Sequence, residues 1–466
     1  MSLSVNAETH LIRRRPLVMG WVAHWPLLLA LVMRVASEST SDLSYVVLGI
    51  YALLGRAHLL RALGFLWFFG MISPGLAAGA PSAAAGRYVV LFAAALSAAI
   101  HGRISPLRTR MSPLEGQSLF LGLFILAHAW LFSPAPDVSM LKAVSWVMAT
   151  VTILSAWRGL SLQQRHELSE QFFWGLVLVM LLSLPLAATS IGYLTNGTGF
   201  QGILNQPQAM GLTMALLCAW VTARLLRQTR PSWLLLMLAG MSLLVILMSE
   251  ARTAGVAAVL GVGLALLLGP GFAGRSILSM APGLRSARVW MVFVVALLVS
   301  LIMAATFSDL VAHYITKSGR ASAGGLWEAY EGSRGRAMDA MIDNIREHPW
   351  TGIGFGIASD PDGQVVSRDP FLGLPIGASA EKGVTPLMVV EELGIFGAVL
   401  VALWTLRLLR TTARGGIVPF AVVLTVLFLN FGEATLFSPG GFGLLPLILL
   451  GWAYAHGRGD SSGRYG

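Results

Sequence analysis

Cysteine is almost missing from this chain. The single thiol, Cys218, lies inside an apolar run, so no intramolecular disulfide can form and the residue reads as core packing. Charge is scarce as well. Only 12% of the 466 residues are charged, against 56% hydrophobic and a mean hydropathy of +0.72. A soluble globular domain is excluded, because its surface needs far more polar side chains. Acids are the scarcer sign, 22 against 32 Lys and Arg, which leaves a net charge of +10. The arginines stand in short clusters between apolar runs rather than on one folded face, and that pattern excludes a nucleic-acid partner. Acids are nearly absent from the runs themselves, which weighs against a proton- or sodium-coupled transporter with an ionisable relay near the midplane. The exceptions are Glu391, Glu392 and Glu433.

What is present is a series of apolar runs long enough to cross a bilayer as helix. They cover roughly 17–34, 43–55, 62–76, 87–101, 118–133, 140–157, 172–189, 207–223, 232–248, 253–269, 289–307, 385–406, 416–432 and 440–456. The fold predicted is therefore all-α, a polytopic transmembrane helical bundle of about 12 to 14 spans. Arg13, Arg14 and Arg15 precede the first run as in a signal peptide, but no small-residue cleavage site follows, and the run reads as an uncleaved first helix.

With the N-terminus placed in the cytoplasm, the arginine clusters fall inside at every turn, giving about +16 on the inner face and about −6 on the outer. Residues 1–307 then form an N-terminal bundle of about eleven spans, 308–384 a large extracytoplasmic loop, 385–457 the C-terminal spans and 458–466 a cytoplasmic tail. Inside the loop, Met338, Met341, Ile342 and Ile345 recur at helical spacing with Asp339, Asp343 and Glu347 on another face. Capped by Ser333 and ended by Pro349, residues 333–348 form an amphipathic helix lying along the bilayer as a lid or wall.

Arginines on the acid-rich outer side need a reason. Arg252, in SEARTAG (249–255), opens an outward helix N-terminus, and Arg334 and Arg336, in GSRGRAMD (332–339), stand in the first turn of the loop helix. A cation there opposes the helix dipole at about 0.3 to 1 kcal/mol, unless an anion is bound. Guanidinium forks beside free amides make a phosphate site, and two such sites could clasp a pyrophosphate. The alternative is snorkelling for Arg252 and solvation for Arg334 and Arg336. Arg34 and Arg87 stand near the outer boundary as interfacial anchors, although Arg87 could help hold a lipid headgroup.

Other signals carry less. GIGFG (352–356) lacks the strand and the following glycines of a dinucleotide loop and reads as a turn that packs closely. Asp360 and Asp362 have the spacing of a metal and nucleotide-sugar pair, yet nucleotide sugars are cytoplasmic, so a proline-containing turn is the better reading, with a weak divalent-metal site as the alternative. His24, His101, His128, His313 and His348 show no metal-ligand spacing; His348 reads as a cap before Pro349, with a base role as the alternative. Glu391 and Glu392 either pair with the outer arginines or supply a catalytic carboxylate.

The order NQPQAMG (205–211), SEARTAG (249–255), SRGRAMDAMIDNIREHPWTGIGFG (333–356) and VVEELGIFGAVL (389–400) resembles the O-antigen ligase and O-antigen or exopolysaccharide polymerase superfamily of bacterial membrane glycosyltransferases. The resemblance covers about residues 200–400. It implies a metal-independent and cofactor-free transferase in the bacterial cytoplasmic (inner) membrane, with both termini cytoplasmic and the site facing the periplasm or exterior. Its donor would be a glycan on undecaprenyl pyrophosphate, its acceptor a second glycan, and its companions a flippase and a chain-length regulator of the same pathway. By position, Arg252 and Arg334 would bind the pyrophosphate, with Arg336 assisting; Arg87, outside the resemblance, joins the pyrophosphate-binding candidates only as a residue that could help hold the lipid headgroup. Where the ligase branch carries a His-Asn pair, this chain has Glu381, Lys382 and Gly383, so Glu381 becomes the first choice of base and polymerisation the first choice of reaction. A ligase acting on another lipid or on protein, and a flippase or transporter of lipid-linked sugars, are the alternatives.

Overall fold

The computed structural model describes residues 24–79, 83–102, 111–195, 197, 199–302, 336–361, 363–368, 373, 375–378 and 382–462. In chain order the helices are α1 Trp25–Ala36, α2 Glu38–Leu53, α3 Arg56–Met71, α4 Ala83–Gly102, α5 Pro113–Phe132, α6 Pro136–Arg158, α7 Leu162–Ser183, α8 Pro207–Arg227, α9 Trp233–Met248 and α10 Arg252–Ala273. After a one-turn helix come α11 Ala287–Ile302, α12 Arg336–Glu347, the antiparallel strands β1 Val366–Arg368 and β2 Pro375–Ala378, and then α13 Thr385–Arg414, α14 Ile417–Leu429 and α15 Leu444–Ser462.

Among the described residues each apolar run overlaps one of these helices, and seven of them (α4, α5, α6, α7, α8, α10 and α13) are long and apolar enough to cross a membrane. The other runs give shorter or less apolar helices. Boundaries follow caps rather than hydropathy. Ser37 accepts a hydrogen bond from Thr40 N at 3.3 Å, so α2 starts in a polar turn five residues before its apolar run. Ser112 and Glu115 close a capping box at the start of α5, as Ser161 and Gln164 do for α7.

The core is rich in aromatic side chains. Trp146, Trp157, Trp220 and Phe420 are fully buried, and the indoles of Trp146 and Trp157 donate to Leu436 O and Ile448 O at 3.1 and 3.0 Å. Helix α8 is buried on nearly every face, whereas α4, α7 and α10 turn outward a broad apolar surface suited to lipid. Small residues bring backbones together: a Cβ on Gly261 of α10 would stand 2.1 Å from Thr425 Oγ1 of α14. Cys218 packs half-buried against the core from α8.

The helices run alternately up and down, so their connections sort into two ends. At the arginine end, Arg407 donates to Pro113 O, Leu114 N to Tyr454 Oη and Arg288 to Pro231 O. Arg224 forms a two-bonded pair with Glu170 there. The opposite end, the loop end, carries α12, the strands and the starts of α8, α10 and α13. Arg34 differs from the expected anchor. It is buried at that end, donating to Ser41 Oγ, Ala78 O and Phe69 O.

Candidate functional site

Four sequence motifs far apart in the chain meet at the loop end. Phe200 N donates to Met248 O at 2.9 Å, and a Cβ on Gly211 would stand 2.2 Å from Ala251 Cβ and 2.9 Å from Ser249 Oγ, so NQPQAMG lies directly on SEARTAG. A Cβ on Gly432 would stand 2.1 Å from Thr253 Oγ1, which seats the end of α14 on the start of α10. Asn430, two residues earlier, ties that end to α13, since Thr385 N donates to its backbone carbonyl at 2.8 Å and Thr385 Oγ1 donates to its Oδ1 at 2.9 Å. The same Oδ1 accepts from Thr435 N and Leu436 N at 2.9 and 2.8 Å.

Helix α13 is broken two turns in. Gly394 adopts φ +65°, and the carbonyls freed by the break are taken by the glycine turn: Ile353 N donates to Glu391 O and Gly354 N to Glu392 O, at 2.8 and 3.1 Å. In return Ile395 N donates to Pro349 O at 3.0 Å. Irregular backbone inside a spanning helix persists only where protein supplies such partners. The approach is close enough that a Cβ on Gly394 would stand 2.0 Å from Trp350 O, and one on Gly356 2.3 Å from Lys142 Cδ. GIGFG is thus a packing turn, with Phe355 buried beneath it.

Below the turn lies a buried charge cluster. Lys382 Nζ is 2.6 Å from Glu391 Oε2 and 3.2 Å from Glu392 Oε1, with all three side chains shut from the surface. These are ion contacts rather than aligned hydrogen bonds. Asn344 of α12 donates to Glu391 Oε1 at 2.8 Å, Gly356 N donates to Glu392 Oε2 at 2.7 Å, and Lys142 of α6 donates to Gly356 O at 2.6 Å. His128 of α5 reaches Thr351 O. The cluster therefore binds α12, the glycine turn, residue 382 and α6 to the break in α13.

The partner of Glu391 and Glu392 among the described residues is a lysine, not the arginines considered from sequence, and in this arrangement both carboxylates are occupied and closed to a substrate. Arg252 is the first residue of α10, half-buried, and follows Glu250, whose φ of +53° places a non-glycine residue in the left-handed region. Arg336 begins α12 at the same end, although its side chain lies outside the description. Arg334 and Glu381 lie outside the described residues, as do Ser333 and Asp362. Arg87 is on α4, where it donates to Gly440 O at 2.8 Å and Tyr88 Oη at 3.3 Å beside a cavity of about 230 Å³ walled by Tyr45, Trp67, Met71 and Gly440. Asn205 of NQPQAMG donates to Met71 O at 2.7 Å, joining that wall to the motif cluster. His348 is exposed and its carbonyl accepts from Gly352 N.

Three helices, α8, α10 and α13, begin at this end with no side-chain hydrogen bond at the N-cap position, which is Gln206, Ala251 and Val384 respectively. Their positive ends converge, so the loop end favours an anion. Among the described residues no group of His, Cys, Asp and Glu has the geometry to hold a metal ion. Fold and site together define a polytopic helical protein whose motifs are gathered at one end of the bundle. No protein-family model matches the chain, and no curated protein matches it in sequence.

Proposed function

We propose that the protein is a glycosyltransferase of the bacterial cytoplasmic membrane that polymerises oligosaccharide repeat units carried on undecaprenyl pyrophosphate, working on the extracytoplasmic side. The observation that supports this reading most is the meeting of NQPQAMG, SEARTAG, the glycine turn and EELG at one end, with three uncapped helix starts and Arg252 among them. The arginine end, by the positive-inside tendency, would face the cytoplasm and leave the loop end outside.

In the proposed reaction an acceptor hydroxyl attacks the anomeric carbon of the lipid-linked glycan. The bond from that carbon to the pyrophosphate oxygen breaks as the new glycosidic bond forms, and the hydroxyl proton passes to a carboxylate, assigned to Glu381. Charge gathers on the departing pyrophosphate. Arg252, Arg334 and Arg336 with the helix N-termini would stabilise it, at about 3 kcal/mol per well-placed donor. A ligase differs only in its acceptor.

One observation favours a different class. The break in α13 two turns from its start, with the carbonyls of Glu391 and Glu392 turned to a loop, resembles the discontinuous helices at which carriers place their substrate sites. Incubating purified protein with a synthetic lipid-linked repeat unit separates these readings. A polymerase lengthens glycan on the same lipid, a ligase moves it to another acceptor, and a carrier leaves its length unchanged.

A further inference from the structure

The arginine end holds a cluster that the glycan chemistry does not use. Arg158, the last residue of α6, places Nε 3.1 Å from Glu115 Oε1. That carboxylate is buried, and its other oxygen already accepts from Ser112 N at 2.8 Å. The guanidinium of Arg56, the first residue of α3, packs against the next residue, Gly159, where an added Cβ would stand 1.4 Å from Nη1 and 2.0 Å from Cζ. Arg165 of α7 closes the group by donating to Arg158 O at 2.7 Å and Ala455 O at 3.2 Å.

Three guanidiniums thus surround residues 158–159, and among the described residues Glu115 is the acid paired with them. Among the described residues Arg56 makes no hydrogen bond or ion pair, and the Nε groups of Arg56 and Arg165 are shielded from solvent without a partner. The nearby acids of α7 are engaged elsewhere, Glu170 by Arg224 and Glu167 by Gln163. Like charges held this close, partly out of water, call for a counter-anion with several oxygens, and a phosphate matches guanidinium forks. The surroundings indicate how that phosphate arrives. Leu54, 59% exposed, and Leu162, 74% exposed, flank the arginines and offer acyl chains an apolar path beside the charge.

We propose that Arg56, Arg158 and Arg165 form a binding site for the phosphate of an anionic phospholipid at the arginine end of the bundle. The lipid headgroup neutralises the cluster while its chains run along α3 and α7. The site is independent of any transferase activity, because it lies at the other end of the helices.

Native mass spectrometry of the full-length protein after exchange into phosphatidylglycerol or phosphatidylcholine tests it. The wild-type chain is expected to retain phosphatidylglycerol selectively, and Arg56→Gln and Arg165→Gln each to lower that retention about fivefold, while Arg56→Lys retains an intermediate amount. Arg230→Gln, a change at the same end outside the cluster, should leave retention unchanged. Because Arg56 bonds to nothing described, its replacement leaves the fold intact. Equal retention in the Arg56→Gln and wild-type proteins would overturn the site. Displacement of the lipid by millimolar inorganic phosphate would overturn the lipid as its occupant and make it a free-phosphate site.

Discussion

Lys382 and Glu391 are joined at 2.6 Å by an ion contact shut off on all sides, nine positions apart in sequence, one on the loop and one in a spanning helix. Their contact fixes the loop residue next to Glu381 against the break in α13. It also fixes the spacing between that residue and α12, since Asn344 holds the opposite oxygen of Glu391.

Removing one side of a buried pair leaves an uncompensated charge. Lys382→Met is expected to destabilise the protein by about 3 to 5 kcal/mol, because Glu391 and Glu392 then lose the cation that contacts both of them. Lys382→Met combined with Glu391→Gln should recover part of that loss. Thermal unfolding in detergent compares the two; a double variant no more stable than Lys382→Met alone would show that the charges are not coupled.

The break at Gly394 depends on the absence of a side chain. Gly394→Ala forces a Cβ into Trp350 O and a φ that alanine avoids, so the glycine turn should detach from α13 while the spanning helices remain. Limited proteolysis would then cut between residues 349 and 382 at a protease level the wild-type chain resists. Unchanged resistance would contradict the docking described.

Asn430 Oδ1 is the acceptor for two buried backbone N–H groups beside Thr385. Asn430→Ala strands both, at about 1 to 3 kcal/mol for each unsatisfied group. A lowered unfolding temperature, with the α13 start exposed to hydrogen exchange, is the expected result.

Hydropathy was a reliable guide to helices because each run is a lipid-facing or core-facing surface in its own right. It was a poor guide to where they begin, since Ser37 and Ser112 set those points through hydrogen bonds in polar turns. Glu391 and Glu392 could be singled out as acids in an apolar run, which requires a partner. Which partner was illegible: Lys382 is reached through a loop, and Lys142 is a lone cation whose contact is a carbonyl 214 residues away. The kink was hidden for a related reason. LGIFGAVL has a helical apolar pattern, and only the carbonyls of Pro349 and Trp350 and the amides of the glycine turn make the break favourable. The meeting of NQPQAMG with SEARTAG could be suspected from their order in the chain, but the contact of Gly211 with Ala251 belongs to the fold.

Arg252 carries the most direct test of the account. Purified protein given a synthetic undecaprenyl-pyrophosphate repeat unit should produce a ladder of lengthened glycan, and Arg252→Ala should lower that product about 100-fold or more while the protein stays folded in the membrane. An undiminished ladder from Arg252→Ala, or a wild-type protein that moves the lipid-linked unit without lengthening it, would contradict glycan transfer at the loop end.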